Sequence, residues 1–440
     1  SVAARTLDGA RFPASLQTIL ATPVTKRTDA QKAELEKFFI ENADSPIRAF
    51  QSEIDAAKAK MDAMSKSAAT VMVMREGPMR QAHVLKRGEY DKRGEPVSAG
   101  LPQALPALPQ GAPNNRLGLA AWLVDPSNPL TARVWVNRAW ERFFGTGIVK
   151  TSENFGSQAE FPSHPALLDW LAAQFMHGDK QTAPWDMKAF HKLIVTSAAY
   201  RQSSHVTPRS MELDPENRLL SRGPRFRLKG EVIRDQALHV SGLLVEKLGG
   251  PSVRPYMPKG VWSETSRYGD LRSYQADKGD ALYRRTMYTI WKRTAAPPTM
   301  LLFDAPNREI CTVKRSRTNT PLQALSLLNE VTFVEAARKL GERMLSDTPA
   351  TGGVPVSHAD RIAYGFRLVT SRKPTAEELS ILTAGLAEDL ARFKKNPAEA
   401  AKLLGVGESK TDGAFDQAEL AAYTLTGNVL LNLDEVVTRE

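Results

Sequence analysis

The stretch "EPVSAGLPQALPALPQGAPNN" at residues 95–115 constrains the chain most. Five prolines and two glycines within it forbid a regular helix or a central strand across its length. It reads as an extended strap between an amino-terminal part and a main body that begins at Asn114. With 440 residues the chain can bury one large core or two to three ordinary ones.

Ahead of the strap, residues 28–66 read as two helices. Thr28 and Gln31 have the spacing of a capping box, followed by "AQKAELEKFFIE". Beyond it Ile47, Phe50, Ile54, Ala57, Met61 and Met64 recur at alternating steps of three and four. Such a seam either packs on a neighbouring helix or zips a dimer. The segments "ATVMVMRE" (69–76) and "QAHVLKRGEY" (81–90) read as extended.

Helical periodicity dominates the body. In "SNPLTARVWVNRAWERFFGTG" Asn128 can cap, Pro129 takes the first helical position and Gly145 supplies the stop. Further helices are expected at 163–176, 186–199, 229–246 and from 321 to about 345. "YRRTMYTIWKR" (283–293) is the best strand candidate. After the linker "SDTPATGGVPVS", Thr375 and Glu378 again have capping-box spacing, and "QAELAAYTLTGNVLLNLDEVV" reads as a largely buried helix. The expected fold is therefore mainly α with small β elements (α+β), divided at 1–68, 69–113, 114–345 and 346–440.

Several chemistries are excluded. The apolar runs fall short of the ~18–20 residues a membrane span needs. One cysteine, Cys311, rules out an internal disulfide, a multi-thiolate zinc site and a c-type haem attachment, so no cofactor is expected in this chain. None of the seven histidines forms an i, i+4 pair, which leaves a helix-borne metal site without support. Walker, dinucleotide and nucleophile-elbow motifs are missing too. The opening "SVAARTLDGARFP" has neither an initiator Met nor the layout of a signal peptide, and reads as the start of a fragment or processed product.

Charge directs the search for a site. The formal net charge is +10, and the 34 residues from Arg284 to Arg317 hold eight cations against two acids. In "KRSRTNTPLQAL" (314–325) the run Thr320-Pro321-Leu322-Gln323 explains itself as a capped helix start. Arg315, Arg317 and Asn319 are not explained that way. Cations beside a helix amino terminus call for an anion, either a protein carboxylate or a ligand.

The other candidates each carry two readings. Trp291 and Arg293 fall on one face of the expected strand, where an indole can stack on a sugar and a guanidinium can fork onto an anion. The bland alternative puts Trp291 in the core and pairs Arg293 internally. Asp304 and Arg308 in "FDAPNRE" form either a local turn pair or an acid–base group with its partner. Glu231 and Asp235 in "GEVIRDQALHV" share a helix face, as paired catalytic carboxylates or as ordinary first-turn acids. His164 in "PSHPALLDW" is a general base or merely a helix start. Arg138, Arg201 and Arg225 complete the set of candidate anion-binding residues.

Several long stretches, in order, resemble one known family: "NRLGLAAWLVDPSNPLTARVWVNRAWERFFGTGIV", "PSHPALLDWLA", "LIVTSAAYRQSS", "DPENRLLSRGPRFRL", "EVIRDQAL", "LYRRTMYTIWKRTAAPPTMLLFDAPNREICTVKRSRTNTPLQALSLLN" and "LLNLDEVVTRE". The chain resembles the carboxy-terminal domain of unknown function of large secreted planctomycete and verrucomicrobial proteins, many with a cytochrome-c-like domain upstream. The resemblance implies an extracytoplasmic location and a haem-bearing partner region on the same precursor, and it leaves any reaction open.

Three functions follow as expectations. One is a module that binds an acidic or sulfated polysaccharide, with or without processing it. Another is a non-enzymatic domain that docks an upstream haem domain. The third is nucleic-acid binding, which the charge suggests; however, apolar residues interrupt the basic ones and no reader motif is present.

Overall fold

Side-chain caps set many helix starts in the computed structural model, which describes residues 13–42, 46–68, 70–75, 77–78, 80–265, 273–292, 294–349 and 355–439. The chain forms two compact units, Ser1–Arg80 and Gln81–Glu440. The architecture is mainly α, with two small two-stranded sheets.

In the first unit the helices Ala14–Ala21, Asp29–Asn42 and Pro46–Ser67 follow one another. The Thr28–Gln31 box forms in both directions, at 3.0 and 3.3 Å. Residues 70–75 of the expected extended run belong to no regular element.

The second unit opens on an antiparallel hairpin of Ala82–Leu85 and Arg93–Val97, with a register shift between His83 and Leu85. The start of the proline strap is thus a strand. Pro96 is tolerated there because the sheet has only edge strands. Farther along the strap, the Pro106 carbonyl accepts the indole N–H of buried Trp122 at 2.8 Å.

Three apolar clusters then form, the smallest around Leu238, Leu282 and Tyr283. Helices Thr131–Phe144, Pro165–His177 and Met187–Thr196 enclose one of them, in which Trp135 stacks on Phe175 at 4.0 Å and Trp140 on Phe144 at 4.1 Å. The largest cluster joins Leu340 and Met344 of helix Val331–Ser346 to Phe366, Leu420 and Tyr423. Helices carboxy-terminal to residue 346 therefore share a core with the body. Gly427 permits the crossing: a Cβ there would lie 2.7 Å from the Ala337 carbonyl oxygen. Strand Thr438–Arg439 closes the unit by pairing with Phe226–Arg227.

Several expected elements differ. Among the described residues of 283–293 there is no strand: a 3-10 turn occupies Thr286–Tyr288, and only isolated bridges flank it. The helix expected at 229–246 runs Gly230–Val240 and ends at Ser241 and Gly242, the latter with φ +78°. The helix expected from 321 splits into Pro321–Asn329 and Val331–Ser346, because Glu330 is extended and its carboxylate caps the second helix through Thr332 N–H. The helix expected to begin at Pro129 starts at Thr131, with Asn128 Oδ1 accepting from Leu130 and Thr131 N–H.

One ion-pair cluster gives an acid-stability prediction. The Arg372 guanidinium donates to both Glu378 oxygens, at 2.6 and 2.9 Å, and also to Glu435. Arg372, with help from Thr375 N–H, lowers the Glu378 pKa from 4.5 to about 2. A depressed carboxylate contributes stability above its unfolded pKa and loses it as pH falls toward the folded one. Glu378→Gln should therefore lower the neutral-pH urea midpoint and flatten its decline between about pH 4.5 and 2. An unchanged acid limb would contradict this.

Candidate functional site

Most of the polar motif residues hold the fold together. Arg234, 4% exposed, donates to the Leu282 and Arg284 carbonyls at 2.7 and 3.0 Å. Its neighbour Asp235 accepts the Thr286 N–H and hydroxyl at 2.7 and 2.6 Å. "EVIRD" and "YRRT" are thus two halves of one joint. In the same way Asp214 accepts the N–H groups of Arg218 and Leu219, and Arg218 donates to the Gly147 and Ile148 carbonyls.

The expected cluster around Trp291 does not form at one point. Arg308 covers the Trp291 ring at 4.1 Å, and the indole N–H donates to the Asn307 carbonyl at 3.0 Å. One ring face and the polar edge are thus occupied. Arg293 lies outside the described residues. Asp304, at φ +61°, accepts the Thr318 N–H and hydroxyl at 2.7 and 3.0 Å. Arg315 donates to both oxygens of Glu231 at 2.9 Å, so that carboxylate supplies the anion the "KRSRTNTPLQAL" motif calls for. Asn319 Oδ1 and Gln323 Oε1 accept from Arg227 at 2.8 and 2.6 Å. Asp235 lies in the joint to Thr286, and Arg201 is exposed at the end of the short helix Ala198–Arg201.

Two adjoining clefts nevertheless gather other candidates. They share the walls Phe226 and Arg317. The larger, about 140 Å³, is lined by His164, Arg218 and Arg225 among others. There His164 Nδ1 lies 3.0 Å from Ser163 Oγ, and Arg225 pairs with Asp434. The smaller, about 50 Å³, is lined by Arg138, Arg142, Arg227, Lys229, Arg315 and Arg317, with only Glu141 and Asp304 as acids.

The geometry explains part of this crowding of charge. The helix Thr131–Phe144 ends at Gly145, φ +79°, and its carboxy-terminal carbonyls favour cations. Arg317 answers by donating to the Gly145 carbonyl at 2.9 Å while lying over the Phe226 ring. Arg315 is matched by Glu231, and Arg227 by side-chain amides. Arg138, Arg142 and Lys229 have no carboxylate at ion-pair distance among the described residues. Burial pulls the Arg317 guanidinium below its ordinary pKa, a cost that an anion in the cleft would offset.

Chemically, the clefts can bind an anion by charge and by guanidinium forks. The carboxylates Asp304 and Glu231, both raised as acid–base candidates, are engaged by Thr318 and Arg315. Among the described residues there is no cluster of His, Cys, Asp or Glu suited to a metal, and no helix is long and apolar enough to cross a membrane. Sequence reasoning left Arg142, Arg227 and Lys229 out of the site. Arg142 had a usable signal, a cation in the last turn before a glycine stop.

The second unit is thus a mainly helical domain with a basic double cleft at one helix carboxy terminus. The chain belongs to the PSD1 family of proteins of unknown function (DUF1553), whose model matches residues 115–386. Neither the curated proteins nor the solved structures hold a match to it.

Proposed function

We propose that the chain is an extracytoplasmic module that binds an acidic or sulfated polysaccharide in the double cleft around Arg317, within a larger cytochrome-c-associated protein. One observation carries the proposal: Arg138, Arg142 and Lys229 line a cleft whose other cations already have partners, and no carboxylate among the described residues pairs with them. The resemblance to planctomycete-type proteins supports the extracytoplasmic setting, and the association of such proteins with polysaccharide breakdown supports the glycan class. The cleft between helices Pro165–His177 and Met187–Thr196, lined by Trp170, Asp179 and Asp186, suits an anion less because its charged residues are acidic.

Calorimetric titration with a sulfated oligosaccharide tests the proposal. Arg138→Glu with Arg142→Glu changes two exposed residues, so the fold should survive while binding weakens at least tenfold, about 1.4 kcal/mol. Wild-type affinity should also fall as salt is raised. No heat of binding to any sulfated or uronic oligosaccharide would overturn it. A steep salt slope with DNA and none with glycan would favour a nucleic-acid ligand instead.

A docking role for an upstream haem domain is the second reading. The internal pairing of Arg225, Arg227, Arg234 and Arg315 favours it, since those residues serve the fold and not a ligand. Co-purification of a haem-bearing fragment by a glycan-inert chain would select it.

A further inference from the structure

The described residues of the first unit bury too little apolar surface to hold it together. Their buried apolar side chains are Leu16 and Ile19, and helix Asp29–Asn42 buries none. A 14-residue helix is marginal when isolated, and most helices in proteins draw their stability from a packed amphipathic face. Meanwhile Phe50, Ile54, Met61 and Met64 stand 60, 47, 65 and 64% exposed along helix Pro46–Ser67. These four, with Ala57, fall on the alternating three-and-four spacing that Ile47 opens in the sequence. Among the described residues of the first unit nothing covers this seam, and a coiled-coil seam so exposed calls for a partner.

We propose that a second copy of this chain covers the seam, through an antiparallel pair of Pro46–Ser67 helices. Identical helices related by a two-fold axis present one patch to itself, so a single seam suffices for both sides. With Ile54 and Met61 at a and Phe50 and Ala57 at d, antiparallel pairing sets Ile54 against Ala57 and Phe50 against Met61. Each layer then combines a larger side chain with a complementary one. A parallel pair would stack Ala57 on itself and leave a void beside the Phe50 layer. The flanking charges agree: the g positions Glu53 and Lys60 meet across the antiparallel pair, twice by symmetry. At the e positions Lys58 meets Gln51, which carries no like charge.

Sedimentation equilibrium on the full chain tests the arrangement. The wild type should dimerise at micromolar concentration, and Ile54→Asp should raise the dissociation constant at least tenfold. Thermal unfolding of the Ile54→Asp chain should keep the main transition, because Ile54 is not part of any described core cluster. Glu53→Lys should weaken the dimer, and adding Lys60→Glu should restore it. In a Cys311→Ser background, mixing Phe50→Cys and Met61→Cys chains should give mixed disulfides. A wild type monomeric at about 100 μM would overturn the proposal. So would a dimer indifferent to Ile54→Asp, and homodisulfides at position 50 would overturn the antiparallel orientation.

Discussion

Arg338→Met should cost the chain about 3–5 kcal/mol, because it breaks a buried ion pair from one side. Arg338 is 1% exposed and serves two acids of its own helix, Glu335 and Glu342, at 3.7 and 3.5 Å. Its guanidinium also donates to the Ser409 carbonyl at 2.6 Å and to the Thr411 hydroxyl at 3.2 Å. Glu335, fully buried, accepts the Tyr283 hydroxyl at 2.9 Å and the Ser409 N–H at 2.6 Å. The 405–411 loop is thereby fastened to the core by charge. Gly407 makes the approach feasible: its φ is +87°, and a Cβ would lie 2.3 Å from the Glu335 carboxyl carbon. Removing Arg338 strands a buried carboxylate and frees the loop carbonyl. Denaturant unfolding should show the loss, and Glu335→Gln combined with Arg338→Met should cost less than the sum of the two. Strict additivity would contradict the coupling.

Asp235→Ala should cost about 2 kcal/mol, through stability and not through a lost reaction. The carboxylate accepts two bonds from Thr286, which is 3% exposed, so truncation leaves a buried N–H and hydroxyl without their acceptor. Arg285, 3.8 Å from the same carboxylate, loses its counter-ion as well. Asp235→Asn keeps an acceptor oxygen and should cost under about 1 kcal/mol. Equal losses for Ala and Asn would show that charge matters more than the joint between "EVIRD" and "YRRT".

What the sequence made legible was local. The box at Thr375–Glu378 lies within one turn and forms in both directions, whereas at Thr320–Gln323 only the return bond forms, Gln323 Oε1 accepting the Thr320 N–H at 3.4 Å while Gln323 N–H goes to the Thr320 carbonyl. The buried helix Gln417–Leu431 was readable from its continuous apolar content. The segment 283–293 misled because its Tyr, Thr, Ile and Trp side chains fit the two-residue period of a strand. Its polar groups instead have distant partners: Arg284 reaches the Lys247 and Pro251 carbonyls, and Thr286 reaches Asp235. Trp291 looked available because Arg308, which covers it, comes from a turn beyond the segment. The double cleft was the least legible feature. Arg142, Lys229 and Arg317 come from three separated segments, and no spacing rule links them. Only tertiary structure decides which cations are matched within the fold and which are left over.

Those leftover cations are the centre of the functional account, and hydrogen–deuterium exchange with a dextran sulfate oligomer tests them most directly. Occupied clefts should slow exchange in backbone around 138–146, 226–229 and 313–318, while helix Met187–Thr196, which lines neither cleft, stays unchanged. Protection confined to other surfaces, or none at saturating oligomer, would contradict the assignment of the anion site.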